Sequence, residues 1–485
     1  MSGEILLDSL PPAPGGAGGA EQPLTGAPAG AAERAAAASK GPGGEEAVAA
    51  LRPYADDFTA RAAARAAEPA RLRRLREEAF ARFTALGFPS MRQEAWRFTN
   101  VGPLARTRFA RATPRPLTAA DAAPWLYAGT AHLVFVDGEV APELSDVAGL
   151  PAGVRLRSLR EAIAAGDPAV ELLGRHATFD DAPFAALNTA LFADGALLHV
   201  ARGTVCERPL QVLFLTTAEA GQPRVSYPRL LVVAEEHSAA TLVERYATVG
   251  EGETLVCPVT ELVVGPAAVV DHYRLAQEGP AAAQVGLQQL WCDRDAHPTS
   301  YSVVTGGSLV RQDVRAVLAG EGVDAILNGF YLTRGRQHVD HQMLVEHQAP
   351  HCGSHELYKG ILEGRSRAVF NGLIHVHPGA QKTDAKQTNR NLLLSQEALV
   401  NTNPQLRIFA DDVKCTHGST VGQLDEEAVF YLRSRGIGEE AAKSLLTYAF
   451  ARDVIDRIKA PAVRHDLEEL LLARLPKGDV VRQAI

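Results

Sequence analysis

From about residue 186 to residue 426 the chain is a succession of short runs rich in Val, Leu, Ile and Tyr, with few plausible helices between them. Leu210 to Leu215, Leu230 to Val233, Thr241 to Tyr246, Val259 to Val264, Val269 to Leu275, Tyr301 to Val304, Val314 to Leu318, Ala325 to Leu332, Val369 to Val376 and Asn391 to Leu394 are examples. Branched and aromatic side chains in runs of this length suit a pleated, half-buried surface. Several alternate, with Val314, Ala316 and Leu318 facing one way and Arg315 and Val317 the other. An all-β domain follows, built either as a sandwich or as a solenoid.

The choice turns on repetition. Ala325 to Leu332 is echoed by Ala368 to His375, with Asn328-Gly329 and Asn371-Gly372 in the same place and an offset of 43 residues. If a solenoid coil takes roughly 20 residues, that offset holds two coils. Equivalent Asn side chains then stack and each Gly permits the bend that follows. Asn-Gly is equally the strongest hairpin signal. Spacing alone leaves both architectures open.

The flanks differ in character. Residues 1–45 are dominated by Ala, Gly and Pro, a composition that cannot offset its ordering entropy, and they are expected to be disordered. Residues 46–185 read as helices on either side of Pro69, with Trp96 and Phe98 packed from a further helix, followed by a small mixed module. That module comprises a strand from His132 to Val136, a turn at Asp137-Gly138 and a helix near Leu159 to Ala165. Residues 427–485 return to helix: Gly438 precedes Glu439 and Glu440, which suit a helix N-terminus. Leu445, Leu446, Ala449, Phe450, Val454, Ile455 and Ile458 then form an apolar stripe, and a second helix covers Arg464 to Leu475. The stripe packs on the β domain or meets a partner.

Charge excludes some functions. With 49 basic against 57 acidic residues the net charge is −8, which argues against a nucleic-acid surface, and no polybasic or long apolar run suggests a membrane. The five cysteines are odd in number and never form a CxxC pair, as expected of a chain in a reducing cytoplasm. No GxSxG elbow, Walker A loop, GxGxxG or HExxH is present, so a non-enzymatic role is expected and any nucleotide energy comes from another chain.

Metal-binding residues are nonetheless present. In the stretch from Asp411 to Gly422, strand alternation puts Cys415 and His417 on one face, pairing a soft thiolate with an imidazole. Such a pair suits Fe, Zn or Cu(I), and two ligands leave the site open. Seven of the fifteen histidines fall between His338 and His377. His338 with His341, or His351, Cys352 and His355, are alternative ligand sets, but ladder or surface positions are the first reading because no metalloenzyme motif holds them.

Six segments in order carry a resemblance: 186–195 (Ala-Leu-Asn-Thr-Ala-Leu-Phe-Ala-Asp-Gly), 366–372 (Ser-Arg-Ala-Val-Phe-Asn-Gly), 380–385 (Ala-Gln-Lys-Thr-Asp-Ala), 391–395 (Asn-Leu-Leu-Leu-Ser), 411–422 and 430–437 (Phe-Tyr-Leu-Arg-Ser-Arg-Gly-Ile). Over about residues 85 to 460 the chain resembles the SufB/SufD family of iron-sulfur cluster assembly proteins. Segments 92–99 and 414–418 point to its SufD branch. The resemblance implies a right-handed parallel β-helix flanked by N-terminal and C-terminal helical domains. It also implies pairing with SufB through the β-helices and binding of the ABC-type ATPase SufC at the C-terminal helices, where the stripe including Leu445, Leu446, Ala449, Phe450, Ile455 and Ile458 is the candidate contact. His417, with Cys415 beside it, is the implied iron-handling residue at the SufB interface, holding transient iron or a nascent cluster. A reduced flavin in the complex is compatible with the resemblance. A primary cluster scaffold of SufB type, a purely structural adaptor and a metalloenzyme with its own histidine site are the rival readings.

Overall fold

The computed structural model describes residues 44–484; the Ala/Gly/Pro-rich opening lies outside them except for its last two positions. Two long sheets dominate, and the chain alternates between them. The first holds Ala196–Val200, Arg229–Ala234, Val259–Val264, Ala282–Cys292, Leu309–Leu318, His338–His347, Arg367–Val376 and Leu399–Ile408. The second holds Val205–Ala218, Ala239–Gly250, Val269–Gln277, His297–Val304, Asp324–Thr333, Gly353–Leu362, Asp384–Leu393 and Lys414–Gly422. Neighbours within each sheet are parallel. Parallel neighbours require a crossover, and here the crossover is a strand of the opposite sheet. The result is a β-solenoid of about eight coils.

Coil length corrects the expectation drawn from the Asn-Gly echo. Asp324, Gly353, Asp384 and Lys414 lie side by side in successive coils, so these coils take 29 to 31 residues each and not about 20. The 43-residue offset is one and a half coils and puts Asn328 in the second sheet and Asn371 in the first, where they cannot stack. Neither Asn-Gly makes a bend or a hairpin; both sit inside strands. Gly329 is required because a Cβ there would collide with the Tyr358 ring, its register partner one coil on. Gly360 is matched with Tyr331 in the same way, so the two tyrosines fill the space that the two glycines leave. Asn371 donates to Gln342 at 2.9 Å and accepts from Gln405 at 3.0 Å, and a mixed amide ladder replaces the expected asparagine stack.

Alternate residues of every strand enter the coil interior, where Ala325, Leu327 and Tyr331 meet Val339, Met343, Val345 and Phe370. The outer faces are covered from both ends of the chain. N-terminal helices Gly44–Ala60, Ala70–Leu86 and Pro183–Leu191 lie over the early coils of the first sheet, sharing a core with Leu231, Val263 and Trp291. The last of these helices is pinned by Asn188, whose amide donates to the carbonyls of Pro228 and Cys257 at 2.7 Å, and by the buried Arg229–Glu261 pair beneath it. Pro69 does separate two helices. The 92–99 segment forms only a short 3-10 turn, Glu94–Trp96; Trp96 is buried under the Arg311 guanidinium, but Phe98 is 45% exposed, against the expectation that both pack. The small module is no separate unit: Ala131–Val136 extends the second sheet and Val154–Ser158 the first.

C-terminal helices Glu426–Ser434, Glu439–Ile455, Pro461–Arg474 and Gly478–Ala484 lie over the second sheet. No helix among the described residues is long and apolar enough to cross a membrane.

Candidate functional site

A solenoid has two ends, and its outermost coil must be covered. Helix and strand from the N-terminal region cover the first coil, whereas among the described residues nothing covers the last, Leu399–Ile408 and Lys414–Gly422. Leu399, Ile408, Phe409 and Val421 are exposed there, Phe409 by 61% and Val421 by 45%. Among the described residues no further strand pairs with these two edge strands, and such an edge is a template for another chain.

Cys415 and His417 stand on this last coil. The corner before them is fixed by Lys382, whose backbone N–H donates to Asp412 at 2.6 Å, and by Lys414, which donates to Thr383 at 2.8 Å. Register then places Cys415 on Ala385 and His417 on Gln387, positions that face the coil interior. The predicted shared face is therefore present, and it is the inward face at the open mouth. Cys415 is half-buried against Ile374, Val376, Ala380, Ala385 and Ala410, while His417 is exposed. Burial, and then the charges of Asp384 and Glu356, raise the Cys415 thiol above its ordinary range, so a metal or a cationic neighbour is needed to draw off its proton. Behind His417 the column continues inward through Gln387 to Glu356, whose carboxyl accepts from the Gln387 amide at 3.1 Å. Burial pushes the Glu356 carboxyl up to about 7. Sequence reasoning missed Gln387 and Glu356; only a coil of 29 to 31 residues reveals that they share a column with His417.

Among the described residues no third donor joins Cys415 and His417. The other sets named from sequence do not assemble. His338 lies 3.0 Å from the Thr99 hydroxyl, beside the Asp340–Arg311 pair that anchors the 92–99 segment. His341 is buried between Tyr331 and Tyr358, and the Cys352 thiol donates to the Gly320 carbonyl at 3.2 Å, away from His351 and His355.

The C-terminal stripe divides. Ile455 and Ile458 are buried against the solenoid with Val454, and Leu445 and Phe450 pack on the same core. Leu446 is half-buried and Ala449 exposed. The apolar surface left open is elsewhere on this domain: Phe430, 71% exposed, and Tyr431 line a groove with Leu446.

The described residues thus form a two-sheet β-solenoid with one bare end, a thiol–imidazole pair at its mouth and a helical domain presenting aromatic side chains. Comparison with known proteins gives the family. Residues 214–450 match the family described as "SUF system FeS cluster assembly, SufBD core domain", and residues 51–212 match the SufBD protein N-terminal region. The chain belongs to the SufB/SufD family. It is 31% identical over 394 residues to the iron-sulfur cluster assembly protein SufD of Escherichia coli, an overlap covering 81% of this chain and 90% of that protein. A SufBD family protein of Synechocystis is 32% identical over 402 residues, covering 80% and 88%. SufD of Bacillus subtilis is 27% identical over 295 residues, covering 60% and 67%.

Proposed function

We propose that this chain is a SufD-type subunit of a SUF iron-sulfur cluster assembly complex, pairing through its bare coil with a SufB-type solenoid and carrying the ABC-type ATPase SufC on its C-terminal helices. The observation that carries the reading is the position of Cys415 and His417 at the mouth of a coil that the described residues leave uncovered and supply with no third donor. Iron is cargo here: a thiolate and an imidazole from this chain hold it while a partner cysteine completes the site and sulfide arrives. A reduced flavin, where the complex uses one, acts on the assembled site.

The C-terminal domain is suited to transmit work from an ATPase. Lys359 on the second sheet pairs with Asp453 at 2.8 Å and donates to the Phe450 carbonyl at 2.9 Å, and Arg474 donates to the carbonyls of Leu332 and Thr305 at 3.0 and 2.6 Å. A torque on these helices therefore passes into the solenoid through bonded contacts, and the joint between solenoids is where it is released.

Co-expression with SufB-type and SufC-type partners, purification and anaerobic reconstitution with Fe(II) and sulfide test the reading. His417→Ala is expected to leave the complex assembled and to bring visible cluster absorption close to background. An unchanged cluster yield overturns the iron-handling role and leaves a structural adaptor. A stable cluster on the isolated chain favours a primary scaffold instead.

A further inference from the structure

The first sheet carries a second group of donors on its outer face, one coil in from the bare end. Glu346 and His375 are register partners in adjacent parallel strands, and His377 follows just past the end of the second strand. Glu346 Oε1 lies 3.7 Å from His375 Nδ1 and 3.4 Å from His377 Nε2, and a donor atom from each of the three residues falls within 4.8 Å of the others. Ligand atoms held at about 2.0–2.2 Å from one first-row ion are about 3–3.6 Å apart, so small side-chain rotations bring these three into ligating range.

The frame is rigid. His377 donates its backbone N–H to His347 at 3.0 Å and accepts from Ala380 at 3.0 Å, which fixes the turn. The two imidazoles stack at 4.2 Å, and the edge of Phe409 lies against His375 at 5.6 Å. All three side chains are between a quarter and about a third exposed, so an ion enters without unfolding and keeps open positions. Two imidazoles and one carboxylate form a borderline donor set, matched to first-row divalent ions and not to Mg or Ca.

We propose that Glu346, His375 and His377 form a site for one first-row divalent transition ion of the Fe(II), Co(II) and Zn(II) class, separate from Cys415 and His417. The proposal stands whether or not the iron-handling role of the latter pair holds, and its test removes that pair. The full chain carrying Cys415→Ser and His417→Ala is titrated anaerobically with Co(II), read by equilibrium dialysis and visible d–d absorption. One equivalent bound in the micromolar range is expected. Adding His375→Ala with His377→Ala removes that equivalent, and Glu346→Gln weakens it by about tenfold or more, with unchanged thermal melting of the apo chains. An equivalent that survives the two histidine substitutions, an affinity that Glu346→Gln leaves unchanged, or no Co(II) bound below millimolar concentration overturns the site.

Discussion

At the residue scale, the interior of this solenoid contains ionisable groups held in their neutral forms. Glu356 is the informative one, fully buried in the column behind His417, with its carboxyl pushed up to about 7 chiefly by burial. The folded chain keeps a proton that the unfolded chain releases near the ordinary carboxyl range, so this group's contribution is full below about pH 4.5 and is lost as pH rises towards 7. Glu356→Gln removes the dependence. Denaturant midpoints of the two proteins are expected to diverge between about pH 4.5 and 7, the variant gaining up to ~3 kcal/mol relative to the parent at the upper end; parallel curves would mean that Glu356 ionises freely. The Cys415/His417 pair itself was legible as two residues on one strand face. Their partners in the column, Gln387 and Glu356, were not, because they are separated by whole coils and no local pattern links them.

At the element scale, strand identity was easy to read and strand neighbourhood was not. Val259–Val264 matches its expected bounds, and the other expected runs fall within or overlap observed strands. The polar strands Gly353–Leu362 and Lys414–Gly422 carry weak apolar signals, since Lys359 and Glu356 interrupt one and exposure at the open end removes the need for burial in the other. The Asn-Gly echo was real as sequence and misleading as geometry, because its glycines serve close packing. Gly329→Ala is therefore expected to lower stability by about 1–3 kcal/mol through overpacking against Tyr358, whereas Gly379→Ala, where a Cβ meets open space, is near neutral. Urea unfolding of the two variants checks this; equal midpoints would show that the Tyr358 ring has room to move. The helix Glu439–Ile455 makes a similar point. Its stripe was visible, but the surface that covers it is the second sheet, so Ile455 and Ile458 are core and the aromatic groove formed with Phe430 is left outside.

At the scale of the whole molecule, two apolar surfaces are left open by the described residues: the last coil, with its bare strand edges and exposed Phe409 and Val421, and the groove of Phe430, Tyr431 and Leu446 on the C-terminal helices. They are built from different elements, so they are separable by mutation. If the proposed complex forms, Phe430→Asp is expected to remove the ATPase subunit from it while the second solenoid stays bound, as read by size-exclusion chromatography of the co-expressed, purified assembly. Loss of both partners together would mean that the groove and the coil form one interface, and retention of the ATPase would place its contact elsewhere on the chain.

The sequence by itself determined the long all-β middle, the helical flanks, the family and the shared face of Cys415 and His417. Each of these rests on short-range periodicity or on ordered motifs, which survive in one dimension. Tertiary structure alone decided the coil length, the inward direction of that shared face, the bare last coil, the column through Gln387 and Glu356, and the meeting of Glu346 with His375 and His377. These depend on which residues the solenoid lays side by side 29 to 31 positions apart, a spacing set by the turns between the sheets and carried by no local pattern of side chains.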